Sequence, residues 1–240
     1  MLARPSRDSV RRIASCTLRA GDGVWRFAED NRDAILAHWQ NARARNPNYF
    51  NGTIQLIDGI DRAADGINAQ LLRTDFMSYL YWRESGWPEA GVLDGFGSAL
   101  IRSHDGDILL GRQCEGHVNA GLTYLPGGFI DARDVNVDGS IDIRGSVARE
   151  LLEETGLGPG AVTPEAGYYL TETGPHVSLA VSYVARAGTS ELKKTIEDHI
   201  RAEANPELAG IVVIRQKSDL EGLSMAHYAR VLVTALFEPG

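Results

Sequence analysis

Apolar residues recur along the chain at two spacings, and the switches between them mark out the elements. Residues 13–18 read as a short first strand. From Gly23 to about Arg45, Trp25, Phe27, Ala34, Ile35, Ala37, His38 and Trp39 partly follow helical spacing, and the turn formers NPNYFNG at 46–52 end that helix. Residues 53–58 and 66–74 read as two strands paired about a turn, whereas residues 75–85 fit either a strand or a helix. Beyond Gly97 the punctuation sharpens, with a predicted hairpin over 98–103 and 108–113 whose turn is Asp105-Gly106. A strand then enters the Pro-Gly-Gly bend at 126–128, and a polar stretch at 132–140 leads into a helix. Two strands follow at 166–173 and 176–186, then a helix at 190–204, a strand at 208–216 and a closing helix at 225–237. Strands and helices intermix, which predicts an α/β fold with a mixed sheet covered by helices. Residues 1–95 are expected to form an α+β extension and residues 96–240 the main domain.

The helix after the polar stretch carries the sharpest chemistry. In RELLEETGL, residues 149–157, Glu150, Glu153 and Glu154 stand at i, i+3 and i+4, so a helix projects all three carboxylates from one side. Val147, Ala148, Leu151, Leu152 and Thr155 fall toward the other side and seat the helix on a core. Asp142 or Ser140 is expected to cap its start, and Gly156 to allow a left-handed exit. Like charges at these spacings repel by a few tenths of a kcal/mol per pair on an exposed helix. Such a row is either a solvated acidic face or the ligand set of a hard divalent cation, for which Mg²⁺ takes carboxylate oxygens alongside water and phosphate.

Composition narrows the field. With 43% apolar and 23% charged residues the chain can bury a real core, and its net charge of −8 argues against a nucleic-acid surface. Cys16 and Cys114 lack metal-ligand spacing and are too few for a disulfide framework, which points to idle thiols in a reducing compartment. No apolar run is long enough to span a membrane, and the arginines at 4, 7, 11, 12 and 19 read as a frayed basic arm, leaving the cytoplasm as the default location.

Gly128, Arg149, Glu150, Leu151, Glu153, Glu154, Gly156 and Leu157, preceded by LPGG, resemble the signature of the Nudix hydrolases, G-x5-E-x7-R-E-U-x-E-E-x-G-U with U apolar. The second half fits at every specified position. The first half departs from the pattern: Asp134 stands where the family has glutamate, and fourteen residues instead of seven separate it from Arg149. Counting back from Arg149 lands on Ile141, which cannot ligate a metal, so the loop holds about seven extra residues. The resemblance implies a Nudix-type α/β/α sandwich and Mg²⁺- or Mn²⁺-dependent hydrolysis of a nucleoside diphosphate linked to another group. It assigns Glu150, Glu153 and Glu154 as metal ligands and catalytic residues, with Arg149 orienting them, and one of these glutamates or a glutamate on a distant loop as the base. Gly128 joins the metal site and Gly127 the substrate site, because a backbone without Cβ permits close approach.

Other residues extend the candidate site. Arg112, on the strand leading to the bend, and Glu172, in the TETGPH turn, are candidate substrate contacts, with His176 beside Glu172. Glu197 and Asp198 are candidates for the loop base, although their setting reads as a helix surface. Trp25, Trp39, Tyr49, Phe50, Tyr81 and Trp82 are expected mostly in the core of the extension, with one or two free to stack on a nucleobase. The helix followed by NPNYFNG and the long loop after PGGFID are similar to arrangements in Nudix proteins that act on nucleotide sugars, and Nudix pyrophosphatases for ADP-ribose also carry N-terminal extensions, often used to form a homodimer. A ligand-binding sensor that keeps the fold without turnover is the alternative, permitted by the altered first half of the signature and opposed by the complete glutamate set. A decapping enzyme is disfavoured by the acidic charge.

Overall fold

The computed structural model describes residues 7–238; Arg4 of the basic arm lies outside them. In chain order the elements are β1 (Ser9–Ile13), β2 (Ser15–Gly21), α1 (Arg26–Asp30), α2 (Arg32–Arg45), β3 (Thr53–Ala63), β4 (Gly66–Asp75), α3 (Phe76–Glu84), β5 (Asp94–Arg102), β6 (Ile108–Gln113) and β7 (Thr123–Tyr124). They continue with α4 (Ile143–Thr155), β8 (Val162–Pro164), β9 (Tyr168–Thr173), β10 (His176–Ala185), α5 (Thr189–Ala202), β11 (Leu208–Ile214) and α6 (His227–Leu236). Among the described residues no helix is long and apolar enough to cross a membrane.

The large sheet runs β1-β9-β10-β5-β6-β11, with β7 on β6 and β8 on β10. Only the central β10–β5 pair of this sheet is parallel, which makes it mixed as the pattern predicted. Successive strand residues face opposite sides, and two neighbours on β5 show what each side carries. Phe96 meets Tyr228 of α6, with ring centroids 4.8 Å apart, while a Cβ on Gly97 would lie 2.5 Å from Val147 of α4. Helices therefore cover both faces, and the missing side chain at Gly97 lets α4 press onto the sheet.

The first predicted strand is two strands. Backbone N–H groups of Ala14 and Ser15 both donate to Asp65 O, at 3.1 and 3.2 Å, and the chain passes there from the edge of the large sheet to a small one. That second sheet, ordered β2-β4-β3, carries the rest of the extension. The predicted helix from Gly23 is likewise broken, at Asn31, into α1 and α2. The ambiguous segment after residue 74 is helix α3, started by Asp75, whose side chain accepts from Ser78 N at 3.0 Å. The bridge Ile54–Asp131 ties residues before 95 to those after it, and Ile13, Leu18, Ile57, Ile67 and Leu71 share one apolar core with β5, β6 and β10. A second cluster, built on Trp25, Leu56, Tyr79 and Trp82, fills the space between α1, α3 and β3.

Candidate active site

Helix α4 starts as its sequence dictates. Asp142 caps it, accepting from Gly145 N at 2.9 Å, and Gly156 leaves it at φ 72°. Ile143, Val147 and Leu151 are buried against the sheet, which turns the glutamates toward the Pro-Gly-Gly bend.

The structure also accounts for the irregular spacing before α4. Asp142 N donates to Asp134 O at 2.9 Å, and Val135 bridges Ile141, so residues 135–141 leave and return at one point as a hairpin. Its far side docks on β2, through Ala20 N to Gly139 O and Ile141 N to Leu18 O, each 2.9 Å. With that excursion set aside, residues 142–148 supply the seven positions between Asp134 and Arg149. The chain path therefore brings Asp134, and not Ile141, to Arg149. The buried Asp134 carboxylate accepts from Arg149 Nη1 at 2.8 Å, from Ser146 Oγ at 3.1 Å and from Asp131 N at 2.9 Å. Arg149 is thereby fixed beside the glutamates, with Nη2 3.4 Å from Glu150 Oε1.

The three glutamates differ in setting. Glu154 is buried, with Oε1 accepting from Gly127 N at 3.0 Å and Oε2 from the Tyr124 hydroxyl at 2.9 Å. Burial pushes its carboxyl well above the usual range. Glu150 lies against the bend: a Cβ on Gly128 would stand 2.8 Å from Glu150 Oε2, and one on Gly127 would stand 2.3 Å from Gly97 O. At Gly127 the obstruction is backbone, so only glycine fits there, whereas at Gly128 it is the mobile end of Glu150. Burial, reinforced by the charge of Glu153, raises the Glu150 carboxyl to about 7. Glu153 is half exposed, with Arg133 Nη1 at 3.7 Å and Arg149 Nε at 3.9 Å.

Glu150, Gly127 and Gly128 line a cavity of about 930 Å³ that is walled also by residues of 48–54 and of α3. Arg133 enters its rim, paired with Asp131 at 2.7 Å, and Glu207 enters from the loop between α5 and β11. The charge of Glu207 adds to burial in raising both Glu150 and Glu154. Tyr49, Phe50, Tyr79, Trp87, Phe96, Phe129 and Tyr228 supply aromatic wall, whereas Trp25 and Trp82 are core.

Two predicted substrate contacts fall elsewhere. Arg112 faces a groove with Thr189, Ser190, Lys193 and Lys194, because its neighbour Gln113 turns into the cavity and strand residues alternate. Glu172 is buried on β9 and held by Arg62 Nε at 2.7 Å, so an arginine of the extension takes its charge. Its neighbour His176 does line the cavity. Glu197 and Asp198 sit on the outer face of α5, paired with Lys193 and Lys194. Glu207 and Arg133 were missed because each stands in a segment without periodicity. Only the loop position of Glu207, just ahead of a strand, offered a signal.

Glu150 on the cavity wall, with Glu154 bound to Gly127 N behind it and Glu153 one turn along the same helix, is the layout of a carboxylate-based hydrolytic site. The chain belongs to the Nudix family of hydrolases: the NUDIX domain matches residues 94–213. Among solved structures it is similar to the MutT protein of Methanosarcina mazei Go1, at 23% identity over 60% of this chain and 94% of that one, with a TM-score of 0.40. It is also similar to the Nudix domain of Shewanella oneidensis NrtR complexed with ADP ribose, at 17% identity, 60% and 84% coverage and a TM-score of 0.39. A third likeness is to the bifunctional NMN adenylyltransferase/ADP ribose pyrophosphatase of Francisella tularensis with AMP and a Mn ion, at 18% identity, 60% and 41% coverage and a TM-score of 0.40. No curated protein matches the sequence.

Proposed function

We propose that the chain is a divalent-metal-dependent pyrophosphohydrolase. Its substrate is a nucleoside diphosphate linked to a further group, a nucleotide sugar or an ADP-ribose-like molecule, cleaved to a nucleoside monophosphate and a phosphorylated product. The observation that carries this reading is the register restored by the hairpin: Asp134 fixes Arg149 beside Glu150, Glu150 packs against Gly128 on the cavity wall, and Glu154 is tied to Gly127 N from the same helix.

Oxygen donors alone make this a hard-cation site, suited to Mg²⁺ or Mn²⁺. The carboxyl groups fit such a role, because burial and neighbouring negative charge push Glu150 and Glu154 up, and a bound cation would relieve both effects. Among the described residues no three acidic, histidine or cysteine side chains already enclose a point, and Arg133 and Arg149 share the charge of Glu150 and Glu153 instead. Glu150, Glu153 and Glu154 would hold the cation. Bound there, it neutralises the diphosphate and lowers the pKa of a coordinated water.

The protein groups do the rest. Gly127 N and Tyr124 hold Glu154 in place, and Arg149 holds Glu150. Arg133, exposed at the rim, is free to exchange Asp131 for a substrate phosphate. Glu207 approaches from a separate loop and takes the proton of the attacking water. The volume of the cavity, about 930 Å³ with an acidic floor and aromatic walls, favours an extended substrate over a small one.

The test is release of nucleoside monophosphate from a panel of ADP-, CDP-, GDP- and UDP-linked sugars and ADP-ribose, with Mg²⁺ or Mn²⁺. Turnover abolished by Glu153→Gln or Glu154→Gln supports the proposal. Tight ligand binding with no turnover of any member would favour the sensor.

A further inference from the structure

The end of the cavity away from the glutamates holds an acceptor without a donor. Asp94 is 3% exposed, at the first position of β5, and its Oδ2 accepts from the Tyr79 hydroxyl at 2.9 Å. Its Oδ1 is buried and has no hydrogen-bond partner among the described residues. Leaving such an oxygen unsatisfied is costly, and a ligand that donates to it removes the cost.

A second acceptor stands beside the first. His176 Nδ1 lies 3.3 Å from Thr173 O, an oxygen that can only accept, so Nδ1 carries the proton. Burial disfavours a second proton on the ring, which leaves Nε2 as a bare lone pair 3.7 Å from Asp94 Oδ2. Arg83, on the same wall, donates to Val118 O and Asn119 Oδ1, both at 2.9 Å. Burial raises the Asp94 carboxyl, and the charge of Arg83 reaches it, acting with the Tyr79 hydroxyl against that rise.

The surroundings are flat and aromatic. The Trp87 and His176 ring centroids are 4.9 Å apart, and Tyr79 meets Trp87 at 5.7 Å and Phe129 at 4.7 Å. Trp87 has φ 59°, a left-handed conformation that a bulky residue adopts only under constraint, and such strain is kept mainly where a side chain has a task. Asp94 lies three residues before Gly97, whose carbonyl touches the Gly127 bend. At about 3.3 Å per strand residue that is about 10 Å from the cavity floor, the reach of a nucleoside.

We infer that Asp94, His176 and Trp87 form a base-selecting subsite that takes an amino-bearing nucleobase, a 6-aminopurine or a 4-aminopyrimidine, by accepting the hydrogens of its exocyclic amine. The inference rests on the reading of the cavity as a nucleoside diphosphate site and names the base that the substrate carries. A 6-oxo or 4-oxo base sets a carbonyl oxygen against two acceptors and is excluded.

Binding of products tests this without turnover. Isothermal titration of the intact chain with AMP, IMP, CMP and UMP should show AMP tighter than IMP, or CMP tighter than UMP, by at least about tenfold. The pair showing the preference identifies purine or pyrimidine. In Asp94→Asn the Tyr79 hydroxyl holds the amide oxygen and the amide nitrogen points into the cavity, so the preference should reverse toward IMP or UMP. Equal affinities within both pairs in the unaltered chain overturn the inference, whether or not the variant folds. So does a folded Asp94→Asn chain that keeps the original ratio. Amine preference without hydrolysis of any diphosphate would refute the proposed activity alone. Hydrolysis with no amino-over-oxo preference would refute the subsite alone.

Discussion

Excising residues 135–141, so that Asp142 follows Asp134 directly, is expected to leave the glutamate site working. The two residues are joined across the hairpin neck by a 2.9 Å hydrogen bond. Antiparallel partners bonded this way lie about 5.5 Å apart at Cα, against 3.8 Å for chain neighbours, so closure asks for a shift of about 2 Å. The cost falls on stability. The deletion removes two backbone bonds to β2 at 2.9 Å and the Arg19 contact to Asp138 O at 3.2 Å, each contributing about 0.5–1.5 kcal/mol net. It also removes Ile141, 7% exposed, whose burial contributes about 1.5–3 kcal/mol. A loss of about 5 kcal/mol lowers the melting temperature of a chain this size by roughly 10–20 °C. The assay is thermal denaturation together with kcat/KM for the best substrate at a temperature where both chains are folded. Turnover within tenfold of the intact chain is expected. A folded deletion variant with turnover down more than a hundredfold would refute the reasoning, because the hairpin would then belong to the site. Asp134→Ala in the intact chain should do the opposite and lower kcat/KM by about 10–100-fold, since it removes the 2.8 Å partner that fixes Arg149 beside Glu150.

Glu154→Gln places an amide where Gly127 N and the Tyr124 hydroxyl both donate to a carboxylate, and NMP release with Mg²⁺ should fall at least about a hundredfold. Glu207→Gln should lower kcat by about 10²–10⁴ while Mg²⁺ affinity, followed by titration, shifts less than tenfold. The metal-free chain should lose stability as pH rises. With Glu150 at about 7 when folded against 4.5 unfolded, the native state binds more protons between those values, so stability falls across that window by up to about 3 kcal/mol. Melting temperatures from pH 4.5 to 8 check the trend, and saturating Mg²⁺ should flatten it; a rising apo curve would contradict the burial of Glu150.

Much of this protein was legible in its sequence because the signals are local. The period of Val147, Leu151 and Thr155, the Asp142 cap and the Gly156 exit fix where α4 runs and which side its glutamates take. The Asp105-Gly106 turn likewise fixes the β5–β6 hairpin, where Gly106 stands at φ 93°. The split at Ala14 depends on Asp65, fifty-one residues away in the chain, so no window on the sequence contained it.

Tertiary structure decided the rest. Spacing alone left Asp134 out of register, and only the bond across the hairpin neck returns it to Arg149. Which side of β6 Arg112 takes, and that Arg62 claims Glu172, depended on strand pairing and on the extension. Asp94 and Arg133 join His176 and Glu207 in one cavity from separate segments, and nothing in the neighbourhoods of Asp94 and Arg133 marks them as its members. Sequence determines which way a side chain leaves its own helix or strand, since that follows from backbone period; which groups then share a desolvated space follows only from how the sheets and helices pack.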